Sequence, residues 1–155
     1  MNDGRHNHVF GFEADFSGDL RCIPMAVRRK LDLAGVKLKL LHWHGLSGAE
    51  RQQLLDWSDS GEALLELRGW LLARSVTLPQ GPARPLDPVC QASWQQSEAF
   101  PEELRVSCRQ LGLTLPPQGW EKLDELERFA LVKLSHPGHE HRNLSRALQE
   151  CGLIP

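Results

Sequence analysis

Apolar residues recur at helical spacing in two separated stretches of this chain. Ile23, Val27, Leu31 and Ala34 share one helical face, and so do Phe100, Leu104, Cys108 and Leu111. A glycine follows each set, Gly35 or Gly112, where a left-handed residue ends a helix without a Cβ penalty. Pro24 and Pro101 suit the first helical position, which needs no N–H. Next come Val36-Lys37-Leu38 and Leu113-Thr114-Leu115, three-residue alternations that predict short extended links. Trp43 and Trp120 follow on turns. Ser47-x-x-Glu50 and Asp124-x-x-Glu127 then spell capping boxes, each opening a helix whose buried side carries Leu54 and Leu55, or Leu131 and Val132.

These parallels form a repeat. Residues 23–58 and 100–135 align without a gap at an offset of 77, with 10 of 36 positions identical. The identities include Pro24/Pro101, Arg28/Arg105, Gly35/Gly112, Trp43/Trp120, Glu50/Glu127 and Arg51/Arg128. Between the copies, Asp59-x-x-Glu62 predicts the start of a longer helix running to about Val76. Pro79, Pro82, Pro85 and Pro88 then recur every third residue, the polyproline II period, and mark 77–99 as a stiff spacer across the surface. The alternation Val9–Phe12 suggests a short strand. Pro137-Gly138 is a turn signal, and Asn143 caps a last helix of about 143–151, ended by Gly152. The expected fold is all-α. It is a single domain over 1–155, made of two homologous helix–link–helix units, a middle helix 59–76 and a C-terminal helix.

Composition narrows the function classes. A chain of 155 residues, 41% apolar, can bury a real core. The net charge of −2, with neither sign dominating any third of the chain, argues against nucleic acid or an anionic membrane as the main partner. No run approaches the ~18 apolar residues of a membrane span. The start, MNDGRHNHVFGFE, carries no apolar signal core, so a cytoplasmic location is expected. Cys22, Cys90, Cys108 and Cys151 show no C-x-x-C spacing and read as reduced thiols.

Several residues carry candidate chemistry. His136, His139 and His141 offer three imidazoles to a metal, with Cys22 or Cys151 available to complete a tetrahedral site and His42 and His44 elsewhere. The plainer reading of the same residues, and the favoured one, is a solvent-facing polar turn. His139, Glu140 and Asn143 precede a helix N-terminus, which favours anions, and Lys133 and Arg142 add positive charge; capping alone also accounts for Glu140 and Asn143. Arg28-Arg29-Lys30, with Lys37 and Lys39, is a local basic patch able to steer an acidic partner, or the solvated face of the first helix. Glu50-Arg51 and Glu127-Arg128 recur inside capping boxes and read as structural. Cys22 lies near a helix N-terminus, where a thiol is activated, although a small buried thiol is the default.

FGFEADFSGDLRCIPMAVRRKLDLAGVKLKL, ERQQLL and ERFALVKLSHPGHEHRNLSRALQECGL together resemble the small nitrate reductase-associated proteins. The resemblance covers roughly Phe10 to Leu153 apart from the Pro-rich middle. This chain has His136, His141 and Leu144 where that family usually has Arg, Asn and Phe. The resemblance implies a cytoplasmic accessory or assembly factor for assimilatory nitrate reductase. It would act by protein–protein contact with the reductase or its maturation or electron-donor proteins, without catalysis or cofactor. A metal-binding protein using His136, His139 and His141 is the alternative. The features the two copies do not share single out Arg21, Cys22, Arg29, Lys30, Lys133, His139, Glu140 and Asn143 as partner-facing residues.

Overall fold

The computed structural model describes residues 5–136 and 142–155, without the side chains of Phe16 and Arg142. The described residues are mainly helical. The helices are α1 (Ala14–Ser17), α2 (Met25–Ala34), α3 (Leu40–Gly45), α4 (Gly48–Asp56), α5 (Gly61–Ser75), α6 (Glu102–Gln110), α7 (Glu125–Leu134) and α8 (Arg142–Glu150). One small antiparallel ladder joins β1 (Val36–Lys37) to β2 (Arg84–Pro85). Two compact units are present: Met1–Val9 with Glu13–Cys90, and Phe10–Phe12 with Gln91–Pro155.

In the first unit α2 packs on α5 and α4. Its core holds Val27, Leu31, Trp43, Leu54, Leu67 and Leu71, each nearly or fully withdrawn from solvent. Pro24 takes the N-cap position, one residue earlier than the sequence suggests, because its ψ of 155° is extended. Proline offers no capping oxygen, and the buried carboxylate of Glu13 replaces it by accepting from the Met25 N–H at 3.0 Å. The middle helix starts at Gly61 rather than Asp59, with Ser60 as its cap, since the Ser60 hydroxyl accepts from the Ala63 N–H and Asp59 is drawn to Arg29. The proline-rich stretch keeps its prolines exposed but is tied to the first unit at several points up to Val89. Leu86 N–H donates to Gly35 O, Val89 N–H donates to Asp32 O, and Leu78 and Ala83 are buried.

In the second unit α7 packs on α6, on α8 and on the 3-10 turn Ser93–Gln95. Trp94 meets Phe129 edge-on, with centroids 5.0 Å apart, and Phe100 lies 5.4 Å from Trp120. The Val9–Phe12 stretch is not a strand. It leads into a 3-10 turn at Gly11–Glu13, because Glu150 accepts from the Gly11 and Phe12 N–H groups at 2.8 and 3.1 Å. Phe10 and Phe12 stack on each other instead of alternating between faces. Leu113–Leu115 is likewise not a strand. α8 begins at Arg142, so Asn143 lies in its first turn and not at its cap.

Both expected helix-ending glycines are left-handed, Gly35 at φ 80° and Gly112 at φ 69°. At Gly112 the Leu113 N–H reaches Cys108 O and the Gly112 N–H reaches Arg109 O, a Schellman closure. Their surroundings differ. A Cβ on Gly35 would lie 2.4 Å from Leu86 O and 2.5 Å from Arg68 Nη1, whereas one on Gly112 meets nothing within 4 Å. Gly112→Ala should therefore cost only the conformational penalty, about 1–2 kcal/mol. Gly35→Ala adds the clash and should cost at least about 3 kcal/mol. Urea denaturation of the two variants checks this, and equal losses would show that the approach of Leu86 to Gly35 is not constraining.

Candidate functional site

Two charged residues of α2, Arg29 and Lys30, turn inward. Arg29 is 8% exposed and Lys30 fully buried, so the solvated basic face expected at 28–30 holds for Arg28 alone. Arg29 Nη1 pairs with Asp59 Oδ2 at 3.0 Å. Lys30 Nζ donates to the carbonyls of Leu54, at 3.4 Å, and Leu55, closer still. These are last-turn carbonyls of α4, where a cation is favoured, and the Leu54 carbonyl also accepts from the Trp57 N–H. Burial lowers Lys30 from its ordinary value to about 8; Asp59 and Asp56 work against that shift and Arg29 adds to it. Asp56 accepts from Gln52 and Asn7, and these hydrogen bonds hold its carboxyl below the usual range. His6 beside them is lowered by burial, then by Lys30, and its Nδ1 has no hydrogen-bond partner among the described residues.

Other cations, half-buried at Arg51 and Arg68 and buried at Arg128, also serve the backbone. Arg51 donates to the carbonyls of Trp43, Leu20 and His44. Arg128 donates to those of Trp94 and Leu123. Arg68 Nη1 reaches Ala34, Gly35 and Leu86. The tryptophans beside the first two do likewise: Trp43 Nε1 donates to Leu20 O and Trp120 Nε1 to Gln96 O. Both predicted capping boxes are formed, Ser47 with Glu50 and Asp124 with Glu127, each with reciprocal hydrogen bonds. Glu50 also takes a two-point ion pair from Arg74, which together with Ser47 lowers its carboxyl.

The remaining candidates are scattered. Arg21 is exposed, pairs with Asp19 and donates to Asp15 O, while its own carbonyl accepts from His44. Cys22 is half-buried. In the second unit Lys133 Nζ sits 5.2 Å from the Phe129 ring centroid. Asn143 is half-buried and His136 exposed. His139, Glu140 and His141 lie outside the described residues, and so does the Pro137-Gly138 turn. Among the described residues no group of three or more His, Cys, Asp or Glu could hold a metal ion. The structure thus brings Arg29 and Lys30 into one buried cluster within the first unit, and that cluster does not include Arg21.

Two open clefts flank Pro117 in the second unit. One, of about 640 Å³, is lined by Lys122, Glu127 and Cys151 among others; the second, of about 420 Å³, has Phe100, Leu113 and Leu115 on its walls and Arg105 and Arg109 at its edge. Burial, reinforced by Glu127, pushes the Cys151 thiol far up, and burial raises Cys108 as well. Neither thiol is the low-pKa nucleophile that thiol chemistry requires.

The sequence reading placed Lys37 and Lys39 in a basic patch but missed the neighbours they gain in the first unit. Lys37 lies directly opposite Arg84 across the ladder, and Lys39, Leu40 and Leu41 follow on an exposed turn. The Lys37-x-Lys39-Leu40-Leu41 spelling was visible, but nothing local signals that Arg84 returns beside it.

These residues define a mainly helical protein in which several cationic side chains are spent on backbone carbonyls. The chain belongs to the family of conserved nitrate reductase-associated proteins, whose match spans residues 9–151. No curated protein and no solved structure matches it. No helix among the described residues is long and apolar enough to cross a membrane.

The Lys30 assignment carries a pH signature. Unfolded lysine titrates near ~10.4. Between about pH 8 and 10.4 the unfolded chain holds a proton that the folded chain has released, so stability rises with pH there; below about pH 8 both states are protonated and the cost of burial is fully present. Relative to Lys30→Met, the wild-type unfolding free energy should gain on the order of 2–3 kcal/mol from about pH 7.5 to 10.5. Parallel profiles in urea titrations would contradict it.

Proposed function

We propose that this protein is a cytoplasmic, non-catalytic accessory factor for assimilatory nitrate reductase that works by direct protein contact. The observation carrying the proposal is family membership over residues 9–151, in a family described as nitrate reductase-associated. The geometry supports a binding role. Arg51, Arg128 and Lys30 are committed to internal hydrogen bonds, and the thiols of Cys108 and Cys151, which border the two clefts, are raised away from the nucleophilic form.

The two stretches 23–58 and 100–135 are, in this proposal, copies of one ancestral helix–link–helix unit within a single domain. The left-handed Gly35 and Gly112, the two capping boxes, and the Trp43–Arg51 and Trp120–Arg128 pairs, whose N–H groups all meet backbone carbonyls, support it. An accessory protein of this kind holds the apo-reductase ready for its cofactor or docks its electron donor. Partner contact falls to residues that the fold does not consume, with Arg21 among the exposed ones.

A tagged copy of the chain, expressed in its native cells on nitrate, should retain nitrate reductase through purification. Deleting the gene should lower reductase activity in extracts. Absence of the reductase from the purified material together with unchanged activity in the deletion strain would overturn the proposal.

A further inference from the structure

The ladder between β1 and β2 creates an arrangement the fold does not need. Lys37 and Arg84 are register partners, and Val36 beside them is buried, so both cations stand on the outer face. Residues directly opposite in an antiparallel pair have Cβ atoms about 4.5–5.5 Å apart, and like charges there are destabilising. Two residues on, along extended backbone, Lys39 is also exposed. Among the described residues no carboxylate lies within ion-pairing distance of Lys37, Lys39 or Arg84; this includes Asp87, exposed three residues beyond Arg84.

Leu40 and Leu41 then open α3 with 44% and 57% of their surface exposed. One exposed leucine carries no message, but two in sequence beside three unpaired cations form a mixed patch. The backbone beneath is fixed. His42 is buried; its Nδ1 accepts from the Lys39 N–H at 3.1 Å and its Nε2 donates to Gly81 O at 3.0 Å. These two bonds tie the turn bearing the leucines to the segment that brings in Arg84.

We infer that Lys37, Lys39, Arg84, Leu40 and Leu41 form the docking face for a partner protein that presents carboxylates around an apolar spot. Partner carboxylates relieve the Lys37–Arg84 repulsion and speed encounter, while Leu40 and Leu41 supply the apolar contact that slows release. A nucleic-acid backbone would match the cations and waste the leucines. An anionic membrane would use both, but three cations on a chain of net charge −2 are a weak membrane anchor. The inference rests on the proposed function in taking nitrate reductase as the first partner to test.

The test uses the full chain and purified cognate nitrate reductase, with binding followed by biolayer interferometry. Lys37→Glu with Arg84→Glu should weaken binding at least tenfold and flatten its dependence on salt. Leu40→Ser with Leu41→Ser should speed dissociation at least tenfold. Leu65→Ser, at an exposed leucine on α5 outside the patch, should leave binding unchanged, and circular dichroism should show all variants folded. If the wild type binds and the patch variants bind equally well, the docking face is wrong while the proposed function stands.

If the wild type does not bind the reductase, a photo-crosslinking residue at position 41 is used in nitrate-grown cells. Capture of one protein, identified by mass spectrometry and lost on charge reversal at Lys37 and Arg84, keeps the docking face and removes the reductase as its partner. Capture of nucleic acid or lipid, capture that charge reversal does not alter, or no capture at all overturns the inference.

Discussion

Backbone carbonyls at helix ends and irregular links are the constraint on which this structure depends. Helix ends and irregular links leave such groups exposed to burial, and each one left unmatched costs on the order of 1–3 kcal/mol. Here long cationic side chains meet them. Arg51 spans three carbonyls around the link before α4, Arg68 spans three around Gly35 and Leu86, and Arg128 joins Trp94 to Leu123. Lys30 closes the end of α4. A guanidinium suits the work because its donors fan out in a rigid fork. Short helices, several of ten residues or fewer, are thereby fixed against one another within each unit.

What was legible in the sequence was local. A capping box needs only residues three apart, so Ser47–Glu50 and Asp124–Glu127 were readable and are formed. The helix-ending glycines were readable for the same reason. The expectations that shifted did so because a distant group intervened. Glu150 reaches back to Gly11 and Phe12 and turns an apparent strand into a 3-10 turn. Arg29 takes Asp59 and leaves Ser60 to cap α5. Glu13 supplies the cap that Pro24 lacks. Lys30 is a partial exception. At about 100° per residue it falls roughly 60° from Val27, on the margin of the apolar face, and a helical wheel would have placed it near the core. Arg29 lies nearly opposite Val27 on that wheel, and its burial goes with the ion pair to Asp59, which the wheel does not show.

The candidate site was legible only in part, for the same physical reason. Residue type shows that a side chain is basic and does not show whether a carbonyl waits for it. Of the basic run 28–30, two members are consumed internally, whereas Lys37 and Lys39 remain outside and gain Arg84 as a neighbour through the ladder. Separating the cations that the fold uses from those left over picks out the surface proposed as the docking face.

The central claim, that guanidiniums hold the fold by matching backbone carbonyls, is tested most directly at the half-buried Arg51 and the buried Arg128. Each should be replaced singly by Met and by Lys, and unfolding followed in urea. Each Met variant should lose about 2–4 kcal/mol. Lys should recover little of it, because one ammonium cannot span the same carbonyls. Met variants that unfold at the wild-type urea concentration, or Lys variants as stable as wild type, would contradict the account.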